Sequence, residues 1–344
     1  MKTPTAIIRL AAAIVTLTAV SCHELPDYDN SNTGSFEALW TEFDNHYCFF
    51  REKGIDWQEV HDRYAPQVND KLGRQSFFRV MEAMLDELRD GHVNLSAPFA
   101  TSYYREWWSD YPQNFDARII RQYYFNFNYS SLGEVEYGLL RQNIGYIRWH
   151  SFAQNLGHGN IDYILAAFVM SPALIIDIRD NSGGDLTYAD NFASHFVTST
   201  RTAGYICHKT GPGHDEFSEP YPIEIKPVTA GHWTWTKPVI LLTNRSTFSA
   251  ANYFTALMKS LPQVTQVGAT TGGGAGMPYS LELPNGWGVR FSACPIYDTE
   301  MNCTEFGIEP DPRHAVDLDP ADALQGRDTI LDFAISMIEN NECK

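Results

Sequence analysis

A chain of 344 residues is long enough for one large domain, or for a large one and a small one. Its 42 acidic side chains against 25 basic ones leave a formal net charge of −17, which argues against nucleic acid or an anionic membrane surface as a partner. Six cysteines include no CxxC pair, so neither a zinc ribbon nor a redox motif is predicted, although Cys294 and Cys303 stand close enough in sequence to staple a loop.

The chain opens with Lys2 and Arg9, then an apolar run over residues 10–20 that is too short to span a bilayer as a stable helix. Residues 1–21 are therefore predicted to be a targeting segment. They end in Ala19-Val20-Ser21-Cys22, and small residues directly before a cysteine resemble the lipobox of bacterial lipoproteins. The resemblance implies that Cys22 becomes the lipidated N-terminus, anchoring the protein in the cell envelope. Residues 22–34 are polar and acidic, as expected of a tether, and resemble surface-export signals of Bacteroidetes lipoproteins.

Residues 35–95 are predicted to be a small helical subdomain. Phe36, Leu39, Trp40, Phe43 and Tyr47 recur at helical spacing, a second helix follows over 57–64, and a third over 76–89 carries Phe77, Val80, Met81, Met84, Leu85 and Leu88 on one face. Asp90-Gly91 reads as a glycine stop, which puts His92 on a sharp helix-to-strand turn. Residues 96–142 form an aromatic-rich connecting segment, with a short strand predicted over 118–124.

From residue 143 to the end the pattern is α/β. Strands are predicted over 144–152, 173–178, 238–242 and 264–268, and helices over 160–170, 188–197 and 322–339. Pro284-Asn285-Gly286 marks a hairpin between 279–283 and 288–292. Gly183-Gly184, straight after a buried strand, let the backbone turn and approach another group closely.

The stretch that organises these elements is PVILLTNRSTFSAANYF, where an apolar strand turns into a helix near Ser249. The first N–H groups of a helix have no partner within it and carry the positive end of its dipole, so they can hold an oxyanion. On local grounds alone Ser246, Thr247 or Ser249 could equally be a helix cap.

Taken together, LRDGHVNL, LIIDIRDNSGG, TFSAANYF, VGATTGGG and EFGIEPD occur in the order found in the serine peptidase family of C-terminal processing (tail-specific) proteases and the tricorn core, and the chain resembles that family over most of its mature length. The resemblance implies an α/β core related to the crotonase and Clp superhelix, with an N-terminal three-helix subdomain. It places the nucleophile at Ser249, with Ser246 as fallback, the base at His92 and an orienting carboxylate at Glu305. It implies oxyanion donors at the backbone N–H of Ala250 and of Gly183 or Gly184, and neither metal nor organic cofactor.

A Ser-Lys mechanism is disfavoured because the loop Thr271-Gly272-Gly273-Gly274-Ala275 holds no lysine. The tricorn core has a serine directly before its histidine, where this chain has Gly91. The connecting segment is too short for the PDZ domain of many relatives, so recognition of substrate C-termini does not carry over. No HExxH helix marks a metalloprotease, and TFSAA is not the GxSxG of an α/β-hydrolase. Expected partners are peptide or protein substrates, with membrane contact only through the lipid. The rival expectation is a silent member that binds peptides or apolar ligands, since interphotoreceptor retinoid-binding protein, a carrier, resembles the same family.

Overall fold

The computed structural model describes residues 28–109 and 111–343. The targeting segment and Cys22 lie outside them. Among the described residues no helix is long and apolar enough to cross a membrane.

The fold is mixed α/β, built on two six-stranded sheets. In the first, Val264–Gly268, Val239–Thr243, Leu174–Asp177 and Gly145–Trp149 lie side by side in parallel, and Val135–Leu139 and Ser130–Leu132 extend it antiparallel. The central strands Leu174–Asp177 and Val239–Thr243 are almost wholly apolar because both of their faces are covered. Leu174, Ile176, Val239 and Leu241 face the helices His158–Ala166, Leu186–Ala193 and Ala250–Lys259, whereas Ile175, Ile240 and Leu242 face the terminal helix Thr329–Glu339. A strand places alternate side chains on opposite faces, so one continuous apolar run serves two cores.

The second sheet carries Asn94–Ala97, the strand after His92, between Ala100–Thr101 and the long strand Gly288–Tyr297. The latter also pairs with Gly276–Glu282, giving the hairpin expected at Asn285-Gly286, and continues onto Arg201–Ile206 and Tyr221–Ile225. The helices Asn32–His46, Trp57–Tyr64 and Arg74–Asp86 do not close a core of their own. Phe36, Phe43, Trp57, Phe77 and Met81 share one with Trp287, Val289 and Phe291 of the hairpin. The first helix starts at Asn32, inside the stretch read as tether, because the Ser31 hydroxyl caps it by accepting from the Gly34 N–H.

Two local expectations are corrected. The third helix ends at Asp86, and the left-handed residue beyond it is Arg89 (φ 48°), not Gly91. Residues 118–124 are helical: Ala117–Ile119, capped by Asp116, runs into Ile120–Tyr124. Two adjacent isoleucines suggest a strand, but Ile120 and Phe125 are buried in the terminal-helix core, and that packing overrides the β-branched preference.

Candidate active site

The strand Val239–Thr243 ends in a turn closed by the Thr247 N–H on the Asn244 carbonyl (2.9 Å) and tied to the neighbouring strand by the Thr247 hydroxyl on the Ile178 carbonyl (3.0 Å). The chain then reverses at Ser249, whose φ of 56° and ψ of −120° are costly for a residue with a Cβ, before the helix Ala250–Lys259 begins. The Ser249 N–H donates to the Gly273 carbonyl (2.9 Å), which fixes this elbow. Ser246 belongs to the turn and makes no hydrogen bond with His92.

His92 reaches the elbow from 157 residues away, with Nε2 2.8 Å from Ser249 Oγ. The sheet accounts for the meeting: Asn94 pairs with Arg290 and Leu95 with Val289, so the turn before Asn94 is laid against the hairpin that leads back to Gly273. His92 is 4% exposed. Burial pushes its pKa down to about 4 against the pull of Asp90, with Arg290 and Lys53 adding to the depression. A neutral imidazole beside a hydroxyl is a competent general base.

Glu305 does not orient the imidazole. Its carboxylate accepts from Lys53 Nζ (2.8 Å) and from the Ala275 N–H (2.9 Å), and His92 Nδ1 has no hydrogen-bond partner among the described residues. The acid nearest to His92 is Asp90, which accepts the His92 backbone N–H (2.7 Å) and the Tyr47 hydroxyl (3.0 Å). Lys53 joins the two carboxylates: its ammonium lies 3.8 Å from Asp90 and donates to the Arg89 carbonyl (3.0 Å), and all three side chains are almost wholly buried. Burial, followed by the charge of Asp90, pushes Glu305 up to about 7. Neither Lys53 nor Asp90 is expected at the site from the sequence. The one signal for Asp90 is an acidic residue two places before His92; Lys53, in a short surface-like helix, carries none.

Of the glycine amides expected as oxyanion donors, Gly183 is engaged by Asn181 Oδ1 (2.9 Å). The N–H groups of Gly184 and Ala250 have no partner among the described residues. Gly184 (φ 144°) is required for a second reason: a Cβ there would stand 2.1 Å from the Phe152 carbonyl carbon, which is backbone and cannot yield. Gly184, Ser249 and His92 line a cavity of about 60 Å³ together with Leu186, Tyr253 and Met277. Cys294 and Cys303, which stand close enough in sequence for a staple, are free thiols, and Cys294 Sγ lies 3.4 Å from His208 Nδ1.

A serine on a strained strand-to-helix elbow, a buried imidazole within hydrogen-bond reach and free helix-end amides are the equipment of acyl transfer. The class so defined is the serine-type peptidase. Comparison with known proteins narrows it. The model of peptidase family S41 matches residues 143–313, and that of the tricorn protease C1 domain matches residues 28–86. The crystal structure of a candidate peptidase from Parabacteroides merdae ATCC 43184 is 44% identical, covers 90% of this chain and 96% of its own, and superposes with a TM-score of 0.84. The chain belongs to peptidase family S41.

More distant structures share the fold. Mature CPAF complexed with lactacystin is 12% identical, with a TM-score of 0.69 over 90% of this chain and 99% of that one. The photosystem II D1 C-terminal processing protease is 15% identical, with a TM-score of 0.56 over 83% of this chain and 93% of that one. An uncharacterized protein of Chlamydia muridarum (strain MoPn / Nigg) is 26% identical over 129 residues, 34% of this chain, and the match spans about a fifth (21%) of that curated relative.

Proposed function

We propose that this protein is a serine endopeptidase of the cell envelope that cleaves peptides or proteins through an acyl-enzyme. Ser249 Oγ attacks the scissile carbonyl carbon while His92 Nε2 takes the hydroxyl proton. The tetrahedral oxyanion is held by the N–H groups of Gly184 and Ala250. As the C–N bond breaks, the imidazolium returns its proton to the leaving amine; water then repeats the sequence on the ester and frees Ser249. The carboxylate that steadies the imidazolium is Asp90, close in space through the turn, with Glu305 and Lys53 setting the charge around it.

The observation that carries this reading is the 2.8 Å contact between His92 and a serine held in a strained elbow. A fluorophosphonate probe is expected to modify the mature chain once, at Ser249, as located by peptide mass spectrometry. A folded chain that takes up no probe, with or without added peptide, would return the protein to the ligand-binding alternative.

The pH profile is a second check. His92 accepts a proton only when neutral, and its pKa is pushed down to about 4, so the labelling rate should hold through pH 5 and fall only as pH drops through about 4. A half-point near 6.5, the ordinary histidine value, would contradict the buried neutral base.

Placement in the envelope rests on the sequence around Cys22. Incorporation of labelled palmitate by cells, lost in Cys22→Ser, is the expected result; equal incorporation by both would remove the anchor from the proposal.

A further inference from the structure

Gly91 is the departure from the tricorn pattern that the backbone does not explain, since the left-handed residue of that turn is Arg89. Its surroundings do explain it. A Cβ on Gly91 would lie 2.6 Å from Trp107 Nε1 and 2.8 Å from Phe248 Cζ, and a Cβ on Gly272 would lie 2.2 Å from Trp107 Cζ3. Two glycines from distant parts of the chain therefore leave one slot, and the indole of Trp107 fills it.

Inside that slot the indole stacks on Phe248, with ring centroids 4.1 Å apart and planes 20° from parallel, and Phe248 in turn packs on the His92 imidazole at 4.9 Å. Phe248 is the residue directly before the strained serine, so one ring column touches both partners of the Ser–His pair. The column is also a wall. Gly91, Trp107 and Phe248 line a cleft of about 1190 Å³, whereas His92 and Ser249 line the small cavity. Trp107 is tied down as well: its carbonyl accepts from Arg245 Nε (2.5 Å), and Arg245 reaches the Thr271 carbonyl (3.1 Å) and covers the Tyr111 ring at 4.5 Å.

We propose that Trp107, from the aromatic-rich connecting segment, is a positioning residue for the reaction: seated between Gly91 and Gly272, it clamps Phe248 against His92 and holds the imidazole on Ser249. The proposal rests on the Ser–His reading of the site. Its physical basis is that an imidazole with no partner on Nδ1 is oriented by packing rather than by a hydrogen bond, and misplacement by about 1 Å can cost on the order of 10²-fold in rate. Small residues at 91 and 272 are required because a rigid bicyclic ring cannot move aside for a methyl group as a flexible chain can.

The test is a cycle of Trp107→Ala, Gly91→Ala and the double variant, with Trp107→Phe as the conservative replacement, read by fluorophosphonate labelling rates. Trp107→Ala and Gly91→Ala are each expected to slow labelling by roughly 10- to 100-fold. The double variant should be no slower than Trp107→Ala, because Phe248 can swing into the space the indole leaves. Trp107→Phe should recover most of the rate. Independent, additive losses, or a Trp107→Ala variant as fast as the parent, would overturn the proposal.

A second readout does not need activity. The His92 imidazole, assigned by NMR through its loss in His92→Gln, should titrate higher in Trp107→Ala than in the parent, because water then reaches it from the cleft. Parent protein that never labels would sink the peptidase reading, yet this titration would still decide whether Trp107 shields His92. An unmoved titration would overturn the positioning role even in an active enzyme.

Discussion

Ser249→Ala and His92→Ala should each lower peptidase turnover by on the order of 10⁴-fold or more, with no further loss when combined. In the proposed mechanism nucleophile and base act as one unit: without Oγ no acyl-enzyme forms, and without the imidazole the hydroxyl keeps its proton at neutral pH. Neither change should unfold the chain, and melting curves separate inactivity from misfolding. Ser249→Gly sharpens the point. At φ 56° and ψ −120° a serine carries strain of about 1–3 kcal/mol that glycine does not, so this variant should be inactive yet melt above the parent. A Ser249→Gly variant that melts lower would mean that the elbow stores no strain for function.

Lys53→Met should be the most destabilising single change near the site, by about 3–5 kcal/mol, seen as a melting temperature lower by roughly 10 °C. Lys53 is 3% exposed at its side chain and faces Glu305 and Asp90, which are 5% and 0% exposed. Burial works against its charge, but Asp90 and then Glu305 hold its pKa above the ordinary lysine value. Removing it leaves two carboxylates together in low dielectric. Adding Glu305→Gln to Lys53→Met should restore part of the loss, since one of the stranded charges is gone; no recovery would show that packing, not charge, was lost.

Glu305 also has a pH signature of definite sign. Its pKa rises from 4.5 to about 7 on folding, so the folded state holds a proton that the unfolded chain has already released. Its contribution to stability is present below about 4.5 and disappears as pH rises through about 7. The parent should therefore lose melting temperature relative to Glu305→Gln across that window. Asp90 runs the other way, its pKa lowered by Lys53 and then His92 against the cost of burial, so its contribution is lost as the solution is made acid.

Much of the architecture is legible from local pattern. The central strands Leu174–Asp177 and Val239–Thr243 announce themselves as apolar runs, Asn285-Gly286 marks the hairpin, and the strand-to-helix change at Ser249 is visible because a continuous apolar run gives way there to helical spacing. His92 and Ser249 stand out because each sits at a junction between elements. The strand expected over 118–124 misleads because Ile119 and Ile120 carry β-preference, while Ile120 is buried in a core built largely by the terminal helix, about two hundred residues on.

The residues around the site divide along the same line. The resemblance singles out Glu305, but the partner it has in the structure is not in its own stretch: Lys53 arrives 252 residues away in sequence, from a short helix. Gly91 reads as a helix stop and proves to be a space for Trp107, because a glycine kept for clearance and one kept for a positive φ look alike in a sequence.

By itself the sequence determined the kind of most elements, their order along the chain and the chemical types available at each junction, since these depend largely on side-chain period and on turn chemistry within a few residues. Which junctions meet was decided only by the tertiary structure. The pairing of Asn94 with Arg290 brings His92 to Ser249, and the core shared by the first helices and the hairpin buries Lys53 between two acids. Such contacts are set by sheet register and by the exclusion of water across more than 150 residues of chain, and no local pattern encodes a register between segments so far apart.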